Sequence, residues 1–410
     1  MPRLLPAFIA LSIHFTASAE PVTAEAIASL PSAEQAAWKS YLERSQAKAT
    51  ADQAALQAEL SANKMSIALK APSGGDFRLP KSDDAWFASA EAKALADTIL
   101  SYQTPAGGWS KHTGYSSGPR KPGMQWSSQS DPGKKPHYLG TFDNGSTTNQ
   151  ITLLAKVWLA TKREDCAAAA TKGLNYILAA QYPHGGWPQV YPIEGGYHDD
   201  ITLNDDALTR ILELLQRIAA KDPAFAFLDE SARAKATAAL ENGIACVVKL
   251  QVVQAGKKTV WCAQHDALTL QPAPARKMEP ATLSGSESAN LLKFLMTLPQ
   301  TSPEVISTIE SGLAWLDRVK ITGLRRTEKD GKTAYEPDPS SNEVYWARFY
   351  SLTDNKPVFP GRDGILYATY AEMAAKNPVG YDYYTTRPGS ILDNGQKKWR
   401  KALASPQGKP

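Results

Sequence analysis

At 410 residues the chain is long enough for a large single core or for two domains. Its composition, 43% hydrophobic and 21% charged, is that of an ordinary globular protein, and a net charge of +4 is a mild bias that suits an acidic partner without demonstrating one. No Lys/Arg run supports nucleic-acid binding, no stretch beyond the N-terminus is long and apolar enough to span a bilayer, and three cysteines (Cys166, Cys246, Cys262) allow at most one disulfide within the chain.

In chain order, residues 1–19 read as a secretory signal: Arg3 gives the positive start, Leu4 to Phe15 is mostly apolar, and Ala17-Ser18-Ala19 is a small-residue cleavage site. A secreted or periplasmic protein is expected. Residues 20 to about 70 are Ala-rich and helical in pattern, carrying Leu42, Leu56 and Leu60 among Lys, Gln and Glu; they read as a packing helix pair or a partly mobile leader. Pro72, Gly74, Gly75 and Pro80 mark a connector, so residues 20–82 are set apart as leader and connector, 83–400 as the main domain and 401–410 as a tail.

A recurring phrase organises the main domain. Ile99–Gln103 followed by Gly107-Gly108-Trp109 returns as Ile177–Gln181 followed by Gly185-Gly186-Trp187, and in worn form as Val247–Gln251 followed by Val260-Trp261. Gly173-Leu174, Gly243-Ile244 and Gly312-Leu313 hold one register at steps of 70 and 69 residues. Each unit reads as helix, loop, helix. Outer helices are expected over about 85–102, 165–181, 230–251 and 303–319. Inner helices are expected from Thr147 to Thr161 (Ile151, Leu154, Ala155 and Trp158 on one face), from near Asp205 (Ala207, Ile211, Leu214, Leu215, Ile218), from Glu287 to Leu298, and after Arg362 to near Ala375. The long loop 113–136 has the length of a functional segment. The loop from Lys320 to Gly361 is expected to carry short strands near Gly323–Arg326 and Val344–Tyr350, and the Tyr/Gly/Pro-rich tail from Pro378 is expected on the surface. Helical repeats cannot bury their apolar faces alone, so the expected fold is an all-α (α/α)3 toroid of helical hairpins, with the polar starts of the inner helices converging at one end.

The residues at that end point to chemistry. Asp143-Asn144 and Asn204-Asp205 precede inner helices, where either residue type is also a preferred N-cap. Their recurrence in successive units, with Asp199 and Asp200 nearby, gathers carboxylate and amide oxygens of the kind that suit Ca²⁺, although no EF-hand spacing is present. Arg276 and Arg362 sit in the matching loops of units three and four, and Lys111 follows Trp109. Each could be a structural ion pair. Together they would make a basic rim facing an acidic one, able to hold a polyanion through arginines and a bridging cation. His112, His184 and His198 have no metal-binding spacing, and no nucleophile elbow, P-loop or dinucleotide fingerprint occurs.

Several runs, in this order, resemble the pectate lyases of polysaccharide lyase family 10: Thr141–Thr148, Gly185–Pro192, His198–Asp205, Trp346–Tyr350, Pro360–Gly364 and Gly380–Tyr384. The resemblance covers about residues 85–400. It implies calcium-dependent cleavage of polygalacturonate by anti β-elimination. By position it implies Arg276 as base with Asp143 beside it, and Asp143 and Asp205 as calcium residues. Arg362, Asn144, Lys111, Trp109 and Asp200 are implied as the substrate-binding set, and the protein is expected to act as a monomer. The C5 proton of a galacturonate lies α to a carboxylate, so its removal builds charge that a cation and an arginine can stabilise. An arginine base is protonated at ordinary pH unless neighbouring positive charge disfavours it, so activity is expected to rise into the alkaline range. The residues alone leave three alternatives: an α/α-toroid glycoside hydrolase using Asp143, Asp199 or Asp205, a terpenoid cyclase, or a non-catalytic pectin-binding protein.

Overall fold

The repeated phrase is what the structure uses to stack its helices. The computed structural model describes residues 21–134, 136–299, 301–329, 332–376 and 382–404. The signal expected over 1–19, most of the tail 401–410, and Gly380-Tyr381 of the resemblance lie outside them. Helices α1 (Ala24–Ala28) and α2 (Ser32–Ala62) precede three helical hairpins. After the first outer helix, α3 (Ala90–Ser101), each hairpin packs an inner helix against the outer helix that follows it: α4 (Thr148–Thr161) against α5 (Glu164–Ala180), α6 (Ala207–Ala219) against α7 (Glu230–Leu250), and α8 (Glu287–Leu295) against α9 (Pro303–Arg318). Inner helices touch inner helices and outer touch outer, the arrangement of an all-α toroid.

The repeat's side chains make this geometry. Each phrase-final glutamine donates twice: Gln103 to Gly107 O and Ala169 O, Gln181 to Gly185 O and Ala239 O, Gln251 to Thr259 O and Thr308 O, all between 2.8 and 3.0 Å. One amide thus closes its own loop and clamps the next outer helix. The loop tryptophans fold back, with Nε1 of Trp109, Trp187 and Trp261 each donating at 2.8 Å to the carbonyl of Ile99, Ile177 and Val247. The repeated glycine lies where they pass. A Cβ on Gly243 would sit 2.6 Å from Leu212 and 2.9 Å from Trp187, and one on Gly173 would sit 2.6 Å from Ile151 and 3.0 Å from Trp109. The three cysteines are buried and unbonded.

The fourth unit departs from the expectation. No long inner helix follows Arg362. Strands Phe359–Pro360 and Leu366–Tyr367 pair as a hairpin around Gly364 (φ +83°), and only the short α10 (Tyr370–Lys376) comes after. Pro360, Gly361 and Gly364 are poor helix residues, and this glycine's left-handed backbone turns the chain back at once. The expected strands are present as the hairpin Leu324–Lys329/Lys332–Pro337 and as Trp346–Ala347 and Phe349–Tyr350, which pair with Tyr384–Thr385 and Leu283–Ser284. The C-terminal helices α11 (Arg387–Ser390) and α12 (Gln396–Leu403) follow, with α11 packed on α8.

The leader is packed. In α2, Trp38 and Tyr41 are fully enclosed, and Tyr41 Oη donates to Ala180 O at 3.2 Å. Ser45 accepts from Ile193 N at 3.0 Å, and Glu59 holds Arg120 at 2.6 and 3.0 Å. Asp52 is 1% exposed and accepts from Ala106 N at 2.7 Å, while its Oδ2 has no partner. Burial pushes its carboxyl up to about 6, against the opposing pull of the Ala106 amide and Lys172. A carboxyl whose native pKa exceeds its unfolded value binds more protons in the fold, so its cost to stability develops as pH rises from about 4 to about 6 and persists above. Asp52→Asn keeps an acceptor for Ala106 and avoids the buried charge. It is expected to raise stability by about 1–3 kcal/mol at pH 8 and to be near neutral at pH 4, as thermal unfolding at the two pH values would reveal. An equal effect at both pH values would refute the buried-charge explanation.

Candidate active site

Two short turns carry the acidic residues, Asp143–Gly145 before α4 and Asn204–Asp206 before α6, and they pack against each other. Neither set works as a helix cap: α4 starts at Thr147 and α6 at Asp206 without a side-chain cap bond. In both turns a non-glycine residue takes the left-handed backbone, Asn144 at φ 53° and Asp205 at φ 52°, followed by Thr147 at 65° and Asp206 at 63°. Such strain persists only where the surroundings hold it, and it aims Asn144 and Asp205 at one place instead of along their helices. The equivalent positions of the two turns are therefore Asn144 and Asp205.

Lys111 Nζ reaches Asp143 Oδ2 at 2.6 Å, with both side chains largely buried. Lys111 also lies over the Tyr138 ring at 4.0 Å, and Tyr138 Oη contacts His198 Nε2 at 2.8 Å. Burial lowers His198 to about 4, so above that pH its neutral ring can accept the phenolic proton. Asp143 Oδ1 is buried without a partner. Burial first, then the Asp143 and Glu287 charges, push the Asp205 carboxyl up to about 6, with Arg348 pulling the other way.

Arg348 is the central cation of the site. Its Nη2 lies 3.1 Å from Asn204 Oδ1, 3.6 Å from Glu287 Oε1 and 3.9 Å from Asp205 Oδ1. The segment that carries it, a bend between two short strands, comes close because residue 285 is glycine: a Cβ there would sit 2.3 Å from Ala347 O. Glu287, at the start of α8, accepts in turn from Ser284 Oγ. Arg276 is half-exposed and gripped at both ends by Glu279, Nε to Oε2 at 2.7 Å and Nη2 to Oε1 at 2.6 Å. Glu279 is close enough to add to the rise at Asp205, which brings this loop to the same end. Arg362 is exposed on its hairpin. Gly364 of that hairpin lies over Lys277 O, with its Cβ position 3.6 Å away, and both Arg362 and Arg348 act on the Tyr383 phenol.

The structure thus brings together Lys111, Asp143, Asn144, Asp205, Arg276 and Arg362. It does not bring Trp109 or Asp200 to the substrate side. Trp109 is fully enclosed beneath Gly173, so this ring is core and not a sugar platform. Asp200 is likewise enclosed, and burial, helped by Asp266 and Asp199, pushes its carboxyl to about 9. Arg348, Glu287 and Glu279 were missed as site residues. The one signal for Arg348 was its place between the paired residues of Trp346–Tyr350.

The donors can be tested against a divalent cation. Among the described residues no group of three or more His, Cys, Asp or Glu is arranged to hold a metal. Asp143 does, however, offer an unpartnered buried oxygen beside the raised carboxyl of Asp205. Hard oxygen donors in that state fit a Ca²⁺ completed by substrate oxygens and water, and not a closed protein cage.

A family model described as pectic acid lyase matches residues 103–392. Among solved structures, the chain is similar to a mutant of a family 10 polysaccharide lyase from Cellvibrio cellulosa in complex with trigalacturonic acid. The identity is 32%, over 78% of this chain and 99% of that one, with a TM-score of 0.66. It is similar also to a family 10 polysaccharide lyase from Cellvibrio cellulosa at 32% identity, over 79% and 99%, with a TM-score of 0.65. A comparison with curated proteins gave no match.

Proposed function

The chain belongs to the pectic acid lyase family and is a polysaccharide lyase, and from that premise we propose that it cleaves α-1,4-linked polygalacturonate by calcium-assisted anti β-elimination, leaving a 4,5-unsaturated sugar. The observation that carries this reading is the meeting of Asp143's unpartnered oxygen and Asp205 with the Arg348 guanidinium, beside the loop on which Glu279 holds Arg276. Ca²⁺ held by Asp143 and Asp205 would supply positive charge at the substrate carboxylate. Arg348 and Arg362 would bind substrate carboxylates in the bidentate way that guanidinium allows. Lys111 fixes Asp143, and Tyr138 holds Lys111 from the other side.

In this reading Arg276 removes the C5 proton. The electrons left behind form the C4=C5 double bond as the C4–O bond breaks, and the leaving oxygen takes up a proton from solvent. Glu279 sets the plane of the guanidinium but favours its charged form, so the base works only where that attraction is offset and the pH is high. Secretion fits a polymeric substrate; among the described residues no helix is long and apolar enough to cross a membrane.

The test is ultraviolet absorbance of a C=C bond conjugated to a carboxylate, followed on polygalacturonate with and without EDTA. A rise that EDTA abolishes and added Ca²⁺ restores is the expected result. New reducing ends without that absorbance would replace elimination with hydrolysis.

A further inference from the structure

Beside the catalytic cluster lies a polar pocket of about 500 Å³, walled by Asn144 and Asp205 on one side and by Arg78, Arg210 and Arg387 on the other. Its acids are engaged in part: Asp206 accepts from Asn290 at 2.8 Å and lies 3.8 Å from Arg387 while its Oδ1 has no hydrogen-bond partner, and Asp76 lies 2.8 Å from His112. Arg387 is further held by Ser286 at 2.9 Å. Arg78 and Arg210 differ, since no carboxylate forms an ion pair with either among the described residues, and the Arg210 Nε is buried without a partner. The stem of Arg210 runs beside the first catalytic turn, 3.3 Å from the Cβ position of Gly145. Arg78 comes from the connector ahead of the first repeat, before the residues matched by the family model. That connector is fastened to α4, where Asn149 donates to Phe77 O at 2.9 Å and the Phe77 ring meets Tyr115 edge-on at 5.4 Å.

We propose that this pocket is a second carboxylate subsite, in which Arg78 and Arg210 take the uronate of a sugar further along the chain than the one held at Asp143, Asp205 and Arg348. It rests on the function proposed above. A polyuronate carries one carboxylate per sugar, so a groove that binds several sugars gains from further cations that no close ion pair already engages. The subsite makes the leader's connector part of substrate recognition. It also favours unesterified chains, because a methyl ester removes the charge that the arginines would meet.

Arg78 is exposed, so Arg78→Ala should fold, and Arg210→Ala serves as the second variant. Each is expected to raise KM on polygalacturonate about tenfold, to change the saturating rate by less than about twofold, and to lose most of that KM difference on highly methyl-esterified pectin. Calorimetry of calcium-free protein with hexagalacturonate gives a readout independent of turnover, and both variants should bind more weakly than the parent. Unchanged KM and unchanged binding would overturn the subsite, as would an equal KM rise on esterified pectin. If the parent protein forms no unsaturated product at all, the lyase reading fails, and the hexagalacturonate titration then decides the subsite by itself.

Discussion

Arg276→Ala is expected to lower kcat on polygalacturonate by about 10³-fold, with KM changed far less, because a general base acts in the transition state and contributes roughly 10²–10⁴ in rate. Steady-state kinetics at alkaline pH would measure it. A tenfold rise in KM with kcat preserved would make Arg276 a substrate-binding residue instead. Glu279 supplies a sharper reading of the same site. Its two bonds to Arg276, at 2.6 and 2.7 Å, stabilise the protonated guanidinium. Glu279→Gln removes that charge, so the rise of rate with pH is expected to move toward lower pH. A move in the opposite direction would count against Arg276 as the base.

Trp38→Ala is expected to destabilise the protein by about 3–5 kcal/mol, the range for deleting a large aromatic from a packed interior. Trp38 is fully enclosed between the leader and the toroid, with Tyr182 at 5.1 Å, His184 at 5.5 Å and Tyr41 at 6.0 Å between ring centroids. Thermal or denaturant unfolding would read the loss. A change under about 1 kcal/mol would mean that α2 adds little to the main domain's stability. This effect and that of Arg276 are separable, since one acts on unfolding and the other on turnover.

The repeat made most of the fold legible before any coordinates. The glutamine, the Gly-Gly-Trp loop and the outer-helix glycine recur because each makes one local bond or fills one crossing, and such bonds are written in sequence spacing. The expected bounds of α4, α5, α7 and α9 agree with the structure to within a residue or two. The fourth inner helix did not follow, because Pro360, Gly361 and Gly364 favour a hairpin over a periodic pattern that was short.

The site was legible in its residue types and only in part in its geometry. Asp143, Asn144, Asp205, Lys111 and Arg276 lie in or beside short motifs and could be singled out one by one. Trp109 was misplaced because a repeated tryptophan marks a loop in sequence, while only packing decides whether its ring faces the groove or the core. Asp200 was misplaced for the same reason, one residue's turn deciding between solvent and interior. Arg348, Glu287 and Glu279 come from segments far apart in the chain, so their convergence has no local signature. By itself, then, the sequence determined the repeat, the helical hairpins and the acidic turns, all of which rest on contacts within or between neighbouring units. The tertiary structure alone decided which charges meet: the left-handed turns at Asn144 and Asp205, the close approach at Gly285 that delivers Arg348, and the docking of the leader that places Arg78. Each of these depends on distances across the toroid, and no spacing along the chain encodes them.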